Sequence, residues 1–159
     1  MAYEFKMTRL VEFGDTDMAG IVHYANFFRY VEAAEFRFFR SLGFSLWAQQ
    51  SDPPVNWPRV HAECDYMSPL RFEDEIEVHL LVAEMKARAI TYAFRIRKLN
   101  ATPIIEVARG SVTTVCVTHQ HGRMAATPIP KVVADKIQVA PRELLESPVR
   151  ETKPTPKQK

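Results

Sequence analysis

Residues 26–42, NFFRYVEAAEFRFFRSL, form the one stretch of this chain with a sustained helical period, set among segments that alternate with a period of two. Phe27, Val31, Ala34, Phe38 and Leu42 recur at helical spacing, while Arg29, Glu32, Glu35, Arg37 and Arg40 mostly fall elsewhere on the wheel. Phe28, Tyr30, Phe36 and Phe39 widen the apolar arc beyond what a surface helix needs, so this helix must be wrapped by something. Gly43 follows where a left-handed residue stops a helix.

Only strands are available to wrap it. Tyr3, Phe5, Met7, Val11 and Phe13 alternate with polar residues, and a short strand spans Val60 to Tyr66, closed by a turn around Pro69. Ile76 to Val82 and Ile90 to Arg97 alternate again. Ile104 to Thr118 reads as one long strand in which Gly110 marks a bulge or a close backbone approach. HQHGRM reads as a hairpin, KVVADKI as a short helix, and SLWAQQSDPPVNWP as a loop carrying Trp47 and Trp57. Strands joined mostly by hairpins make an antiparallel sheet, which must bury one face on the lone helix. The expectation is an α+β hotdog fold, a curved antiparallel sheet wrapped around one long central helix. Its unpaired edges favour a homodimer or a dimer of dimers.

At 159 residues the chain fits one domain, expected over 1–140, with 141–159 as a flexible polar tail. A net charge of +2 gives no reason to expect nucleic acid, and no apolar stretch is long enough to span a membrane. The N-terminus lacks the apolar core of a signal peptide, so a cytoplasmic protein is expected. Cys64 and Cys116 match neither a disulfide framework nor a zinc knuckle and read as reduced, half-buried thiols. Cys116, His119 and His121 do not share one strand face, so no metal site is expected.

Chemistry concentrates in FGDTDMAGIVHYANFF, residues 13–28, where two acids and a glycine stand just before the helix. A helix start offers unpaired N–H groups and the positive end of the macrodipole, which favour a developing oxyanion. The amides around His23, Tyr24 and Ala25 would be the donors, and an upstream aspartate would attack the same carbonyl or deprotonate water. Equally, Asp15 and Asp17 fit Asx-turns that shape the loop.

The segment VEFGDTDMAGIVHYANFFRYVEAAEFRFFRSLG, residues 11–43, resembles the N-terminal signature of the 4-hydroxybenzoyl-CoA thioesterase family of hotdog acyl-CoA thioesterases. The resemblance implies that the second aspartate of D-x-D, Asp17, is the catalytic carboxylate and that the Tyr24 N–H polarises the thioester carbonyl. It implies hydrolysis of a short-chain or aromatic acyl-CoA to free acid and coenzyme A, the coenzyme being part of the substrate and no cofactor being needed. The branch acting on aliphatic acyl-CoA shows an aromatic followed by His, where this chain has His23 before Tyr24. His23 is therefore either a third catalytic residue or a pocket-lining or solvated one. Gly20, Val22, Asn26 and Phe27 complete the expected substrate-binding set, with Asn26 capping the helix or bracing the loop, and Lys86 and Arg88 reaching the phosphates of coenzyme A. Asp15 and Thr16 hold the loop, and Glu32, Glu35 and Glu63 are candidates for a second acid, although each fits better as an acid on a solvated face. Alternatives are an acyl-carrier-protein or naphthoyl-CoA thioesterase, or a non-catalytic acyl-CoA-binding hotdog protein. Trp47, Trp57 and the phenylalanines would narrow the cavity toward short or aromatic acyl groups.

Overall fold

The computed structural model describes residues 1–45 and 54–147, so Trp47 lies outside the described residues. Strand β1 (Glu4–Leu10) leads through a single 3-10 turn (Phe13–Asp15) to helix α1 (Tyr24–Ser41). Then follow β2 (Arg59–Tyr66), β3 (Glu75–Met85), β4 (Ala89–Lys98), β5 (Ile105–Val115), β6 (Val117–Gln120) and β7 (Arg123–Ala126), with short helices α2 (Lys131–Ala134) and α3 (Arg142–Leu145). Among the described residues no helix is long and apolar enough to cross a membrane.

Five strands form one antiparallel sheet in the order β1-β3-β4-β5-β2. Helix α1 packs on its inner face through Phe27, Tyr30, Val31, Ala34, Phe38 and Phe39, all buried in one cluster with Met7, Val78, Leu80, Tyr92, Phe94 and Ile96. Burying each large side chain is worth about 1.5–3 kcal/mol, which makes the helix–sheet contact the main source of stability. The Phe38 ring lies edge-on to Tyr92 with centroids 6.4 Å apart.

Strand β2 does not join its sequence neighbour β3. It pairs with β5 at the far edge, and residues 67–74 carry the chain back beneath the start of α1, where Met67 N–H bonds Val107 O, Val22 N–H bonds Leu70 O and Val11 N–H bonds Asp74 O. This crossing brings the end of β2 and the segment after it against the helix start. All of β2 except Cys64 is exposed, so one long edge of the sheet faces solvent in the single chain.

Several sequence expectations shift. The helix begins at Tyr24 instead of Asn26, because the first turn needs no apolar periodicity. The long strand breaks after Val115, and Cys116, wholly buried, separates β5 from β6. Both cysteines are free. Gly110 marks a close approach and no bulge: the β2–β5 register runs unbroken through Cys64↔Gly110, and a Cβ there would lie 2.0 Å from Glu63 O and 2.7 Å from the Phe94 ring. The HQHGRM hairpin turns on His121 and Gly122, both at positive φ. The chain beyond 140 is not uniformly free, since Arg95 donates to the carbonyls of Leu144 and Leu145 at 2.5 and 3.2 Å and so anchors α3. Trp57 packs on Phe39, centroids 5.6 Å apart.

The Gly110 contact gives a direct test. Gly110→Ala should destabilise the fold by about 1–3 kcal/mol, the usual cost of overpacking, seen as a lowered urea midpoint at unchanged slope; an unchanged midpoint would refute the close approach.

Candidate active site

Residues 16–22 form a tight loop. Thr16 and Val22 bridge, Asp17 N–H bonds Ile21 O at 2.9 Å, and Gly20 N–H bonds Asp17 O at 3.0 Å with Gly20 at φ 72°. A positive φ at Gly20 closes the turn that a β-carbon would strain. Asp15 fastens this loop to the helix: its carbonyl accepts His23 N–H at 2.9 Å and Asn26 Nδ2 at 2.8 Å. Its carboxylate accepts Glu12 N–H at 3.0 Å and Arg9 Nη2 at 3.3 Å. Thr16 Oγ1 donates to Phe13 O at 2.7 Å. Asp15 and Thr16 thus hold the loop as expected, and Asn26 braces it.

The cap at the helix start is His23. Its Nδ1 accepts Ala25 N–H at 3.3 Å, and its ring lies tilted by 35° against that of Tyr24, centroids 4.6 Å apart. Asn26 N–H turns back to His23 O at 2.9 Å. Among the described residues no acceptor receives the Tyr24 N–H, the first amide of an 18-residue helix whose first turn carries no acid of its own. That amide is an orphan donor at the positive helix end.

Asp17, Ile21, Val22, Tyr24, Phe27, Tyr66, Met67, Ser68 and Pro69 line one cavity of about 530 Å³. Asp17 is exposed, and its Oδ1 accepts Ala19 N–H at 2.8 Å. This is the Asx-turn the sequence allowed. It occupies one oxygen only, and among the described residues no donor reaches the other. The Tyr66 hydroxyl donates to Tyr24 O at 3.2 Å, and its ring meets Phe27 edge-on with centroids 5.0 Å apart. The cavity therefore offers a carboxylate, a helix-start amide and an aromatic wall.

Of the expected site residues, the structure gathers Asp17, Val22, Tyr24 and Phe27 on this wall. Gly20, His23 and Asn26 shape the loop and the helix start behind it. Lys86 and Arg88 are not brought there. They sit in the β3–β4 hairpin, where Lys86 pairs with Glu84 at 3.1 Å, whereas the cavity lies near the start of β3; at about 3.3 Å per residue the length of that strand separates them. Sequence reasoning missed Tyr66, Met67 and Ser68, whose only signal was their place between a strand and Pro69. Burial pushes the Cys64 and Cys116 thiols up to about 11, so neither is a ready thiolate.

Of the candidate second acids, Glu63 is exposed and accepts from Ser111 Oγ at 2.8 Å. Glu35 is different: it is 1% exposed, and its Oε2 is held by Arg59 Nη2. Arg59 Nη1 also lies 3.5 Å from Glu32. Glu35 Oε1 and the Tyr92 hydroxyl are both buried without a partner among the described residues. Burial raises the Glu35 carboxyl to about 7 against the opposing pull of Arg59. Phe28, Arg29, Val31, Glu32, Glu35, Arg59, Ala62 and Val112 line this second cavity, of about 240 Å³.

Comparison with known proteins identifies the family. The family model described as Thioesterase-like superfamily matches residues 11–137. An Aquifex aeolicus protein, provisionally named an esterase, is 34% identical over 134 residues, covering 84% of this chain and 98% of its own. The 1,4-dihydroxy-2-naphthoyl-CoA hydrolase of Synechococcus elongatus is 28% identical over 137 residues, covering 86% of this chain and 96% of its own. The solved structure of a gentisyl-coenzyme A thioesterase superposes with a TM-score of 0.69 at 29% identity, covering 81% of this chain and 98% of that one.

The raised Glu35 carboxyl has a measurable consequence. The folded protein keeps a proton there that the unfolded chain, near 4.5, has released, so stability from this group is complete below that value and is lost as pH rises toward about 7. The loss should total roughly 3 kcal/mol at 1.36 kcal/mol per unit. Glu35→Gln should remove it, so wild-type and variant urea midpoints followed from pH 4.5 to 7.5 should change by different amounts; parallel curves would sink the argument.

Proposed function

The chain belongs to the thioesterase-like superfamily of hotdog thioester hydrolases, and on that premise we propose that it hydrolyses a hydroxylated aromatic acyl-CoA to the free acid and coenzyme A. The observation that carries the reading is the meeting of Asp17 and the start of α1 in one aromatic-walled cavity. The Asp17 carboxylate attacks the thioester carbonyl or takes a proton from an attacking water. As the carbonyl oxygen gains charge, the unpaired Tyr24 N–H and the helix dipole stabilise it, an effect strongest where the donor is fixed beforehand. The C–S bond then breaks and coenzyme A leaves as the thiol with a proton from the water consumed; on the nucleophilic route that water hydrolyses the aspartyl anhydride to the free acid and restores the Asp17 carboxylate. A carboxylate and an amide suffice for these steps, with neither metal nor prosthetic group.

The substrate class is supported by two relatives of different length of acyl group. Gentisyl-CoA and 1,4-dihydroxy-2-naphthoyl-CoA are the substrates in the names of those proteins, and both acids are hydroquinones with one hydroxyl adjacent to the carboxyl carbon. Tyr24, Phe27 and Tyr66 suit a flat ring, which favours the aromatic over the short aliphatic alternative. The exposed, unpaired length of β2, with Val60 at 63% and Tyr66 at 45% exposure, supports a homodimer in which β2 continues the sheet into a second copy.

Thiol release tests this reading on a panel of 2,5-dihydroxybenzoyl-, 1,4-dihydroxy-2-naphthoyl-, benzoyl- and aliphatic acyl-CoA, with an acyl-carrier-protein thioester beside them. Hydroxylated aroyl-CoA should turn over fastest, and Asp17→Asn should lower kcat by roughly 10²-fold or more. A folded Asp17→Asn protein with near-normal kcat would remove Asp17 from the mechanism, and binding without thiol release by the wild type would leave a non-catalytic acyl-CoA-binding protein.

A further inference from the structure

Three side chains form a charged and aromatic cluster beneath the Asp17 loop without entering either cavity. Arg9 comes from β1, Asp15 from the 3-10 turn and Tyr30 from α1. Alternation along β1 puts Phe5, Met7 and Arg9 on one face, where Phe5 meets Phe38 of the helix, Met7 is buried in the core and Arg9 pairs across the sheet with the buried Ile76. Arg9 is thus the charged residue that β1 carries under α1. Its guanidinium carbon lies 4.4 Å from the centroid of the Tyr30 ring.

A charge in that position needs a counter-charge. Arg9 Nη2 donates to Asp15 Oδ2 at 3.3 Å, and Glu12 Oε1 stands farther off at 3.8 Å. Glu12 is exposed, whereas Arg9 and Asp15 are half-buried, so water screens the first pair more than the second. The planar guanidinium does two things at once, lying over an aromatic face and presenting an N–H to a carboxylate, which an ammonium on a flexible stem cannot do in one pose.

The third member shows where the carboxylate would otherwise go. The Tyr30 hydroxyl is buried and makes no hydrogen bond among the described residues, and burial together with the neighbouring Asp15 carboxylate pushes its phenol above the ordinary value. With Arg9 removed, the Asp15 carboxylate would lose its counter-charge and turn toward that hydroxyl or toward water. Its main chain would turn with it. The Asp15 carbonyl is the acceptor for His23 N–H at 2.9 Å and Asn26 Nδ2 at 2.8 Å, and Asp17 follows two residues later. A rotation at Asp15 therefore displaces the Asp17 carboxylate relative to the Tyr24 amide.

We propose that Arg9 is a positioning residue for the hydrolysis, holding the Asp15 carboxylate toward β1 and thereby fixing Asp17 against the start of α1. The proposal rests on the thioesterase reading above, with Asp17 as the reacting carboxylate. Arg9 touches no reacting atom. Its influence falls on kcat, because Asp17 and the Tyr24 amide act on the transition state, whereas Val22, Phe27 and Tyr66 still offer the substrate the same wall.

The test is steady-state thiol release from the best-hydrolysed acyl-CoA, with wild type, Arg9→Gln, Asp15→Asn, the double variant and Gly110→Ala, beside urea midpoints for each. Arg9→Gln should lower kcat about tenfold to a hundredfold, the range for a small misplacement of reacting groups, with KM little changed. Asp15→Asn breaks the same link from the other side and keeps the test alive if Arg9→Gln does not fold. The double variant should fall within about twofold of the worse single variant, since both substitutions remove one interaction. Effects of the two that multiply would overturn the action of Arg9 through Asp15, and so would a folded Arg9→Gln or Asp15→Asn protein with normal kcat. Gly110→Ala weakens the fold away from the loop and should keep the wild-type kcat; a kcat lost there to the same extent would reduce the Arg9 effect to stability and overturn the positioning role. A wild type that hydrolyses no acyl-CoA, or a normal kcat for Asp17→Asn, would overturn the functional reading itself and this proposal with it.

Discussion

The carbonyl of Asp15 is the point on which the site depends. It accepts one hydrogen bond from the backbone of His23 and one from the side chain of Asn26, while its own carboxylate ties Glu12 and Arg9. These four contacts lock the loop that carries Asp17 to the first turn of α1, which carries the Tyr24 amide. The Asp17 carboxylate and the Tyr24 amide come from opposite ends of the loop, so without this knot their separation would vary. Arg9 is itself stacked over Tyr30, 4.4 Å from the ring centroid, which passes the constraint on to β1 and the core.

The second organising fact is the path of the chain after β2. By pairing with β5 at the sheet edge and then crossing beneath the helix start, the segment from Tyr66 to Pro69 becomes the far wall of the cavity. The same topology leaves β2 exposed along its length. One arrangement thus both completes the cavity and leaves one edge of the sheet open. Buried polar groups near that edge, Glu35 foremost, raise the question of what satisfies them, because a half-satisfied carboxylate in an apolar setting is costly.

His23 and Asn26 show how similar residue types exchange duties at a helix start. Asn is the better cap on propensity, but here its side chain is drawn to Asp15 O and His23 takes the cap with a ring nitrogen. Asp17 shows the converse, where two readings of one residue coexist. A carboxylate has two oxygens, and shaping the loop through Ala19 uses one of them.

The sequence alone determined the central helix, the strands around it and the loop holding Asp17 and Tyr24, since these follow from local periodicity, turn residues and spacing within some thirty positions. Gly110 could be flagged by pattern as unusual in a strand, but only the neighbouring backbone of Glu63 and the Phe94 ring decided that it marks a close approach. The order of the strands, the contribution of Tyr66 to the cavity, the distance of Lys86 and Arg88 from it, and the burial of Glu35 against Arg59 were decided by tertiary structure. Each joins residues remote in sequence, as Glu35 and Arg59 are, or parts residues whose composition suggested a common task. Hydrophobic period fixes which face of an element is buried; it carries no information about which other element will cover that face.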